Sequence, residues 1–116
     1  MNIQIFGFKK DADTRKALRF FSERRIKPHF VDLNEKPASK GELRRFVDRF
    51  GIEAVLDRDS KRFAALGLKS AHYGPDRWME ILTEEPGLLR TPLSRQKQKL
   101  AIGYAPEDWT QWMENT

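Results

Sequence analysis

The sequence predicts an α/β domain with a mixed four-stranded sheet and a run of helices inserted before the third strand. Three observations carry that expectation. The first 32 residues read strand, helix, strand; residues from about 39 to 88 carry helical patterning; and two strand-like segments joined by a polar connection precede a last helix. With 116 residues the chain has room for one domain, 1–116, and a modest core. A hydrophobic content of 39% beside 34% charged residues fits a folded chain rather than a disordered one.

Taken in order, Met1–Phe8 alternates apolar and polar residues through Ile3, Ile5 and Phe6, and Gly7 ends that first strand. Asp11 and Asp13 open a helix whose apolar face holds Ala17, Leu18 and Phe21. A carboxylate there can satisfy amides of the first turn and suits the positive end of the helix dipole. Ile26–Asp32 reads as a second strand, with Pro28 near its start, where a missing amide is tolerated. After a turn at Asn34–Pro37, Ser39-Lys40-Gly41-Glu42 fits a capping box, followed by the apolar stripe Leu43, Phe46, Val47 and Phe50 and a glycine cap at Gly51. A short helix is expected over Ser60–Leu66, closed by Gly67. Another opens at Gly74-Pro75-Asp76, buries Trp78, Ile81 and Leu82, and stops at Pro86-Gly87. Thr91–Arg95 and Lys99–Gly103 are strand-like around the connection Gln96-Lys97-Gln98, and Ala105-Pro106-Glu107 starts the last helix, carrying Trp109, Trp112 and Met113.

Composition removes functions more readily than it suggests them. The chain has no cysteine, which excludes disulfides, thiolate metal sites and thiol catalysis by this chain alone. Only His29 and His72 are available as imidazole ligands, and neither has a partner at a telling spacing, so no metal is expected. No apolar run approaches the roughly 18–20 residues that cross a bilayer, and the N-terminal stretch has no secretory pattern; no membrane association and a cytoplasmic location are expected. The formal charge is +5. Within Thr14–Lys27, Arg15, Lys16, Arg19, Arg24, Arg25 and Lys27 face Glu23 alone, so this segment equals the charge of the whole chain. Such a run is either a solvated helix face or a patch that attracts phosphates, nucleic acid or an acidic protein surface.

The order of elements is the thioredoxin topology with a helical insertion, and at this level the chain resembles a particular family. Ile5-Phe6-Gly7, Arg15-Lys16-Ala17, Asp32, Pro37 and Glu42-Leu43 follow the N-terminal pattern of the arsenate reductase-like proteins. That family includes the glutaredoxin-dependent arsenate reductases and the Spx transcriptional regulators. Downstream, Glu85-Pro86-Gly87-Leu88-Leu89-Arg90-Thr91-Pro92 resembles its hPxLLxRP segment, and Ile102-Gly103-Tyr104 its closing strand end. The resemblance covers essentially the whole chain.

Carried over residue by residue, the resemblance places the catalytic cysteine at Asp11 and the second thiol of the Spx-like pair at Thr14. In the parent chemistry a thiolate at the helix N-terminus attacks the oxyanion, aided by exposed amides and the dipole. Asp11 puts a non-nucleophilic negative charge in the same field and repels an oxyanion, so arsenate reduction by that route is not expected. Asp11 reads either as an ordinary helix cap or as a lock that holds the surface in one state. The substrate arginine of the family falls on Thr91, with Arg90 one residue earlier. A one-residue shift along an extended segment turns a side chain to the opposite face, so Arg90 is not expected to substitute. Pro92 fits the family's cis-proline, beside which an extended peptide or glutathione pairs in such folds.

Asp11, Thr14, Arg15, Arg90, Thr91 and Pro92 are therefore the candidate pocket, without a catalytic residue. The expected function is a non-catalytic binding or regulatory domain with a protein partner on the basic first helix. The alternative is an oxidoreductase-family protein that holds glutathione or a small anion in the same pocket; no cofactor is otherwise implied. Nucleic acid ranks below both, because no aromatic-rich basic platform accompanies the charge. Trp78, Trp109 and Trp112 are expected in the core, with Trp112 a candidate for partial exposure at a partner surface. The alternating charges Asp57, Arg58 and Asp59 read as a solvent-exposed loop.

Overall fold

A computed structural model describes residues 2–114. The chain divides into two compact units, Met1–Lys36 with Thr91–Thr116, and Pro37–Arg90.

The first unit is built on a four-stranded sheet. Strand β1 (Gln4–Gly7) leads into helix α1 (Ala12–Glu23) and strand β2 (His29–Asp32), which pairs parallel to β1. After the second unit, β3 (Leu93–Gln96) pairs antiparallel to β1, and β4 (Lys99–Ile102) antiparallel to β3, giving the order β2-β1-β3-β4. This is the mixed sheet that the sequence predicts, with the helical insertion between β2 and β3.

The alternation of β1 sends Ile3 and Ile5 to one face. There they meet Ala17, Phe20 and Phe21 of α1, Ala101 of β4, and Trp109 and Trp112 of the last helix, Pro106–Glu114. Phe20, Phe21 and Trp109 form a three-ring cluster with centroids 5.2–5.3 Å apart, a spacing at which tilted aromatic pairs are favourable. The fully buried Trp109 carries one polar atom into this core, and its Nε1–H donates to Ser94 Oγ at 2.9 Å. Trp112 is only 5% exposed, so it belongs to the core as expected of the three tryptophans and is not a partly exposed partner contact. Its spacing from Trp109 keeps both rings on the same helix face.

Boundaries shift where local chemistry outweighs periodicity. The second strand is expected from Ile26 but starts at His29. Arg25 takes φ 61°, its N–H donates to Ser22 O at 3.0 Å, and the Ile26 N–H donates to Phe21 O at 2.9 Å. These are the two bonds of a Schellman cap, with arginine where glycine is usual, so residues 24–26 close α1 instead of opening β2. The hairpin is tighter than expected. Gln96 pairs with Lys99, leaving Lys97-Gln98 as a two-residue turn with Lys97 at φ 55°. Thr91 and Pro92 precede β3 rather than belonging to it.

The second unit is helical. Helix α2 (Lys40–Phe50) starts at Ser39, whose Oγ accepts from the Glu42 N–H at 3.1 Å, as the capping motif predicts. Leu43 and Phe46 are buried, but Phe50 is 39% exposed and does not continue the stripe. A single turn α3 (Ile52–Val55), not anticipated in the sequence, follows Gly51. Helix α4 (Lys61–Ala65) is capped by Ser60, whose Oγ accepts from the Phe63 N–H at 3.1 Å. Helix α5 (Pro75–Glu84) buries Trp78, Met79, Ile81 and Leu82, and the final helix of the chain is therefore α6 (Pro106–Glu114). Leu56 and Leu89 form an isolated antiparallel bridge. The Asp57–Asp59 loop carries a forked pair, Arg58 to Glu53 at 2.6 and 2.7 Å. A second fork joins Arg62 to Glu85 at 2.8 and 3.0 Å. Each guanidinium, by hydrogen bond first and charge second, holds its glutamate below the usual carboxylate value.

Two outcomes follow for stability. Ser94→Ala leaves the buried Trp109 N–H without its acceptor and should cost about 1–3 kcal/mol in urea denaturation. Adding Trp109→Phe should cost less on that background than alone, because the orphaned donor is removed with the ring. Glu85→Gln should lower the urea midpoint slightly above the usual carboxylate value near 4.5. The difference should vanish as the pH falls through the depressed folded-state value, since protonated Glu85 then resembles the amide. A difference that persists in acid would remove the charge from the explanation.

Candidate functional site

The candidate site lies where β1 hands over to α1. The chain turns through Phe8–Asp11, with the Asp11 N–H donating to Phe8 O at 3.0 Å, and Asp11 caps α1 from an extended backbone conformation. Its Oδ2 accepts from the Thr14 backbone N–H at 3.1 Å and from Thr14 Oγ1 at 2.7 Å. The same oxygen accepts from Thr91 Oγ1 at 3.0 Å, across 80 positions of sequence. One carboxylate oxygen therefore gathers three donors at the positive end of a twelve-residue helix. Thr14 is fully buried and Asp11 and Thr91 are half-buried.

Gly7 makes this geometry possible. A Cβ on Gly7 would lie 2.7 Å from Thr14 Cγ2 and 3.1 Å from Thr14 Cβ, closer than packed atoms tolerate. The sequence marks Gly7 only as a strand end. Its role as the space for Thr14 needs the fold, because the two residues meet only after the chain has turned.

The six candidate residues do not all serve one arrangement. Asp11, Thr14 and Thr91 are joined directly by hydrogen bonds. Pro92 follows Thr91 across a cis peptide bond, and its carbonyl accepts from the Gly103 N–H at 2.7 Å. Arg15 is exposed on the first turn, and its backbone N–H donates to Asp11 O at 3.0 Å. Arg90 belongs to the second unit, where its Nε donates to Ala54 O at 3.2 Å and its N–H to Val55 O at 2.8 Å. A further guanidinium nitrogen lies 3.5 Å from Leu56 O, so Arg90 ties down the end of α3.

Chemically, the arrangement is an acceptor already supplied with donors. An ionised carboxylate donates nothing, and both threonine hydroxyls turn their protons toward it. Among the described residues no group of three or more histidine, aspartate or glutamate side chains is placed to hold a metal ion. No helix among them is long and apolar enough to cross a membrane.

The architecture and this helix-capped site define a thioredoxin-like α/β domain, the class found in solved structures of similar shape. A putative ArsC family related protein from Bacteroides fragilis superposes with a TM-score of 0.84 over 96% of this chain and 97% of its own, at 16% identity. A model of the ArsC family matches residues 6–112, and the chain belongs to that family. It is also similar to the Global transcriptional regulator Spx 2 of Oceanobacillus iheyensis, 24% identical over 97% of this chain and 84% of the relative. The Regulatory protein MgsR of Bacillus subtilis is 31% identical over 70% of each chain.

Asp11→Ala removes the cap and leaves both threonine hydroxyls without their acceptor, and should destabilise the protein by about 2 kcal/mol. Asp11→Asn keeps an acceptor oxygen at the cap and should recover most of that loss. Equal losses in thermal denaturation would show that the charge, rather than the hydrogen-bond acceptor, holds the site.

Proposed function

We propose that the chain is a non-catalytic ArsC-family domain that works as a binding or regulatory protein in the cytoplasm. The observation that carries this reading is the Asp11 carboxylate with its three donors. The resemblance puts the nucleophilic thiol at Asp11, the second thiol at Thr14 and the substrate arginine at Thr91, and in this chain the Asp11 carboxylate accepts from both threonine hydroxyls. An incoming oxyanion meets a negative charge there, without the arginine that would draw it in. The printed names of Spx 2 and MgsR, both regulators, support a regulatory role. The exposed cations Arg15, Lys16 and Arg19 on α1 give an acidic protein surface a place to dock.

Glutathione is the alternative ligand of this pocket. Pro92 falls at the family's proline, beside which glutathione pairs in such folds. The Thr91 hydroxyl, however, is already committed to Asp11.

With glutaredoxin and glutathione supplied, the wild-type chain should show no arsenate-dependent turnover, and glutathione should shift no amide resonance of residues 11–14 or of Thr91. The double variant Asp11→Cys with Thr91→Arg restores the two groups that the resemblance assigns to the chemistry, and turnover should then appear. Turnover by the wild type, or glutathione shifts at Asp11 and Thr91, would overturn the reading.

A further inference from the structure

At the other end of β1 the first unit has a second concavity. A cavity of about 790 Å³ opens between the start of β1, the approach to β2 and the β3–β4 turn. Its lining includes Lys27, His29, Arg95 and Lys97, with Gln4 and Phe30 between them, and none of its lining residues is acidic. The register explains why these groups converge. His29, Gln4 and Arg95 are direct partners across three adjacent strands, so they form one row on the sheet. Residues of one row project from the same face. That row faces away from Ile3 and Ile5, and hence away from the core under α1 and α6.

The row is held in place as well as assembled. Arg95 donates to Gln4 Oε1 at 2.7 Å and to the Lys97 carbonyl at 3.0 Å, two contacts that hold the half-buried guanidinium in place. Lys27 and Lys97 are exposed and flank it. A smaller concavity beside it shares Lys27 and Pro28 and adds Arg25, again without an acidic residue. Arg25 is turned there by the left-handed conformation that closes α1.

From this placement we propose that the cleft binds a phosphate-bearing small molecule. Arg95, Lys27 and Lys97 hold the phosphate oxygens, and Pro28 supplies an apolar edge for an organic part. A guanidinium fixed in position matches paired phosphate oxygens, flexible ammonium groups adapt around them, and a cavity of this size suits a nucleotide-sized ligand. The inference is independent of the reading of the Asp11 site, which lies at the opposite end of β1.

Calorimetric titration of the full chain at low ionic strength with pyrophosphate, adenosine diphosphate and adenosine, together with amide shift mapping, tests it. Pyrophosphate and the diphosphate should bind and adenosine should not, with shifts at residues 2–4, 27–30 and 95–97. Binding of the diphosphate well beyond pyrophosphate identifies an organic phosphate as the ligand, and equal binding identifies the bare phosphate group. Lys27→Glu with Lys97→Glu alters only exposed side chains and should weaken binding at least tenfold. Arg44→Glu with Arg45→Glu, the same charge change on exposed positions of α2, should leave it within about twofold. Arg95→Lys keeps the charge but loses the fixed fork, and should weaken binding several-fold while the protein remains folded. Absence of binding by both phosphates, equal loss in the α2 double variant, or shifts centred on residues 11–14 would overturn the proposal.

Discussion

Asp11 Oδ2 is the atom on which the arrangement of the first unit's upper end depends. It accepts from the first turn of α1 and from the segment leading into β3, and so ties together two stretches that are 80 residues apart. A cap of this kind is typically worth about 1 kcal/mol, and a hydrogen bond to a charged acceptor about 1.5–3. The three bonds share one oxygen, so these contributions are not additive. Gly7 belongs to the same constraint, because it leaves the space that lets Thr14 sit against the strand end and reach the carboxylate.

The three side chains that meet at this oxygen are thus one physical unit. Asp11 alone would cap the helix with a carboxylate and leave a charged group half-buried beside whatever stood at position 91. An arginine there would neutralise it in an ion pair, whereas threonine satisfies it with a hydroxyl and leaves the negative charge in place. Thr14 completes the set from inside the helix, where a buried hydroxyl needs an acceptor. Substitution of Asp11 removes the acceptor of both threonine hydroxyls, and substitution of either threonine removes a donor from Asp11.

Much of this was visible before the fold. Alternation through Ile3 and Ile5, the capping motif at Ser39, and proline at the start of α5 and α6 each express a local rule, and the elements appear where those rules put them. The candidate positions Asp11, Thr14 and Thr91 were legible through the family pattern, but their mutual bonding was not, because Thr91 reaches Asp11 only in the folded chain. The misplacements have equally specific causes. Arg25 occupies a left-handed cap position that sequence rules assign to glycine, which hid the end of α1 and moved the start of β2. Phe50 follows the helical period but lies on the last turn before Gly51, where the apolar face is no longer covered. The basic row across His29, Gln4 and Arg95 had no sequence signal at all, since it joins three strands by register alone.

That row and the Asp11 site give the first unit a polarity along β1. One end of the strand carries a carboxylate, and the other gathers Lys27, Arg95 and Lys97. From Gln4 to Gly7 the strand advances only about 10 Å. In water at physiological salt, charges are screened over roughly 8 Å, so the two ends present separate fields rather than cancelling. Helix α1 runs alongside and reinforces the separation, with the carboxylate at its amino end and Arg24, Arg25 and Lys27 at and beyond its carboxyl end, each the sign that its dipole favours. Arg24 shows how tightly the carboxyl end is set. Its guanidinium donates to Phe20 O at 2.9 Å and lies 3.6 Å from the centre of the Phe20 ring, so the cation is spent on the helix end and the aromatic cluster. Arg25 and Lys27, one turned by the cap and the other carried past it, line the smaller concavity, and Lys27 lines the cleft as well. The same helix end that obscured the strand boundary in the sequence is therefore what brings positive charge to the far end of the sheet.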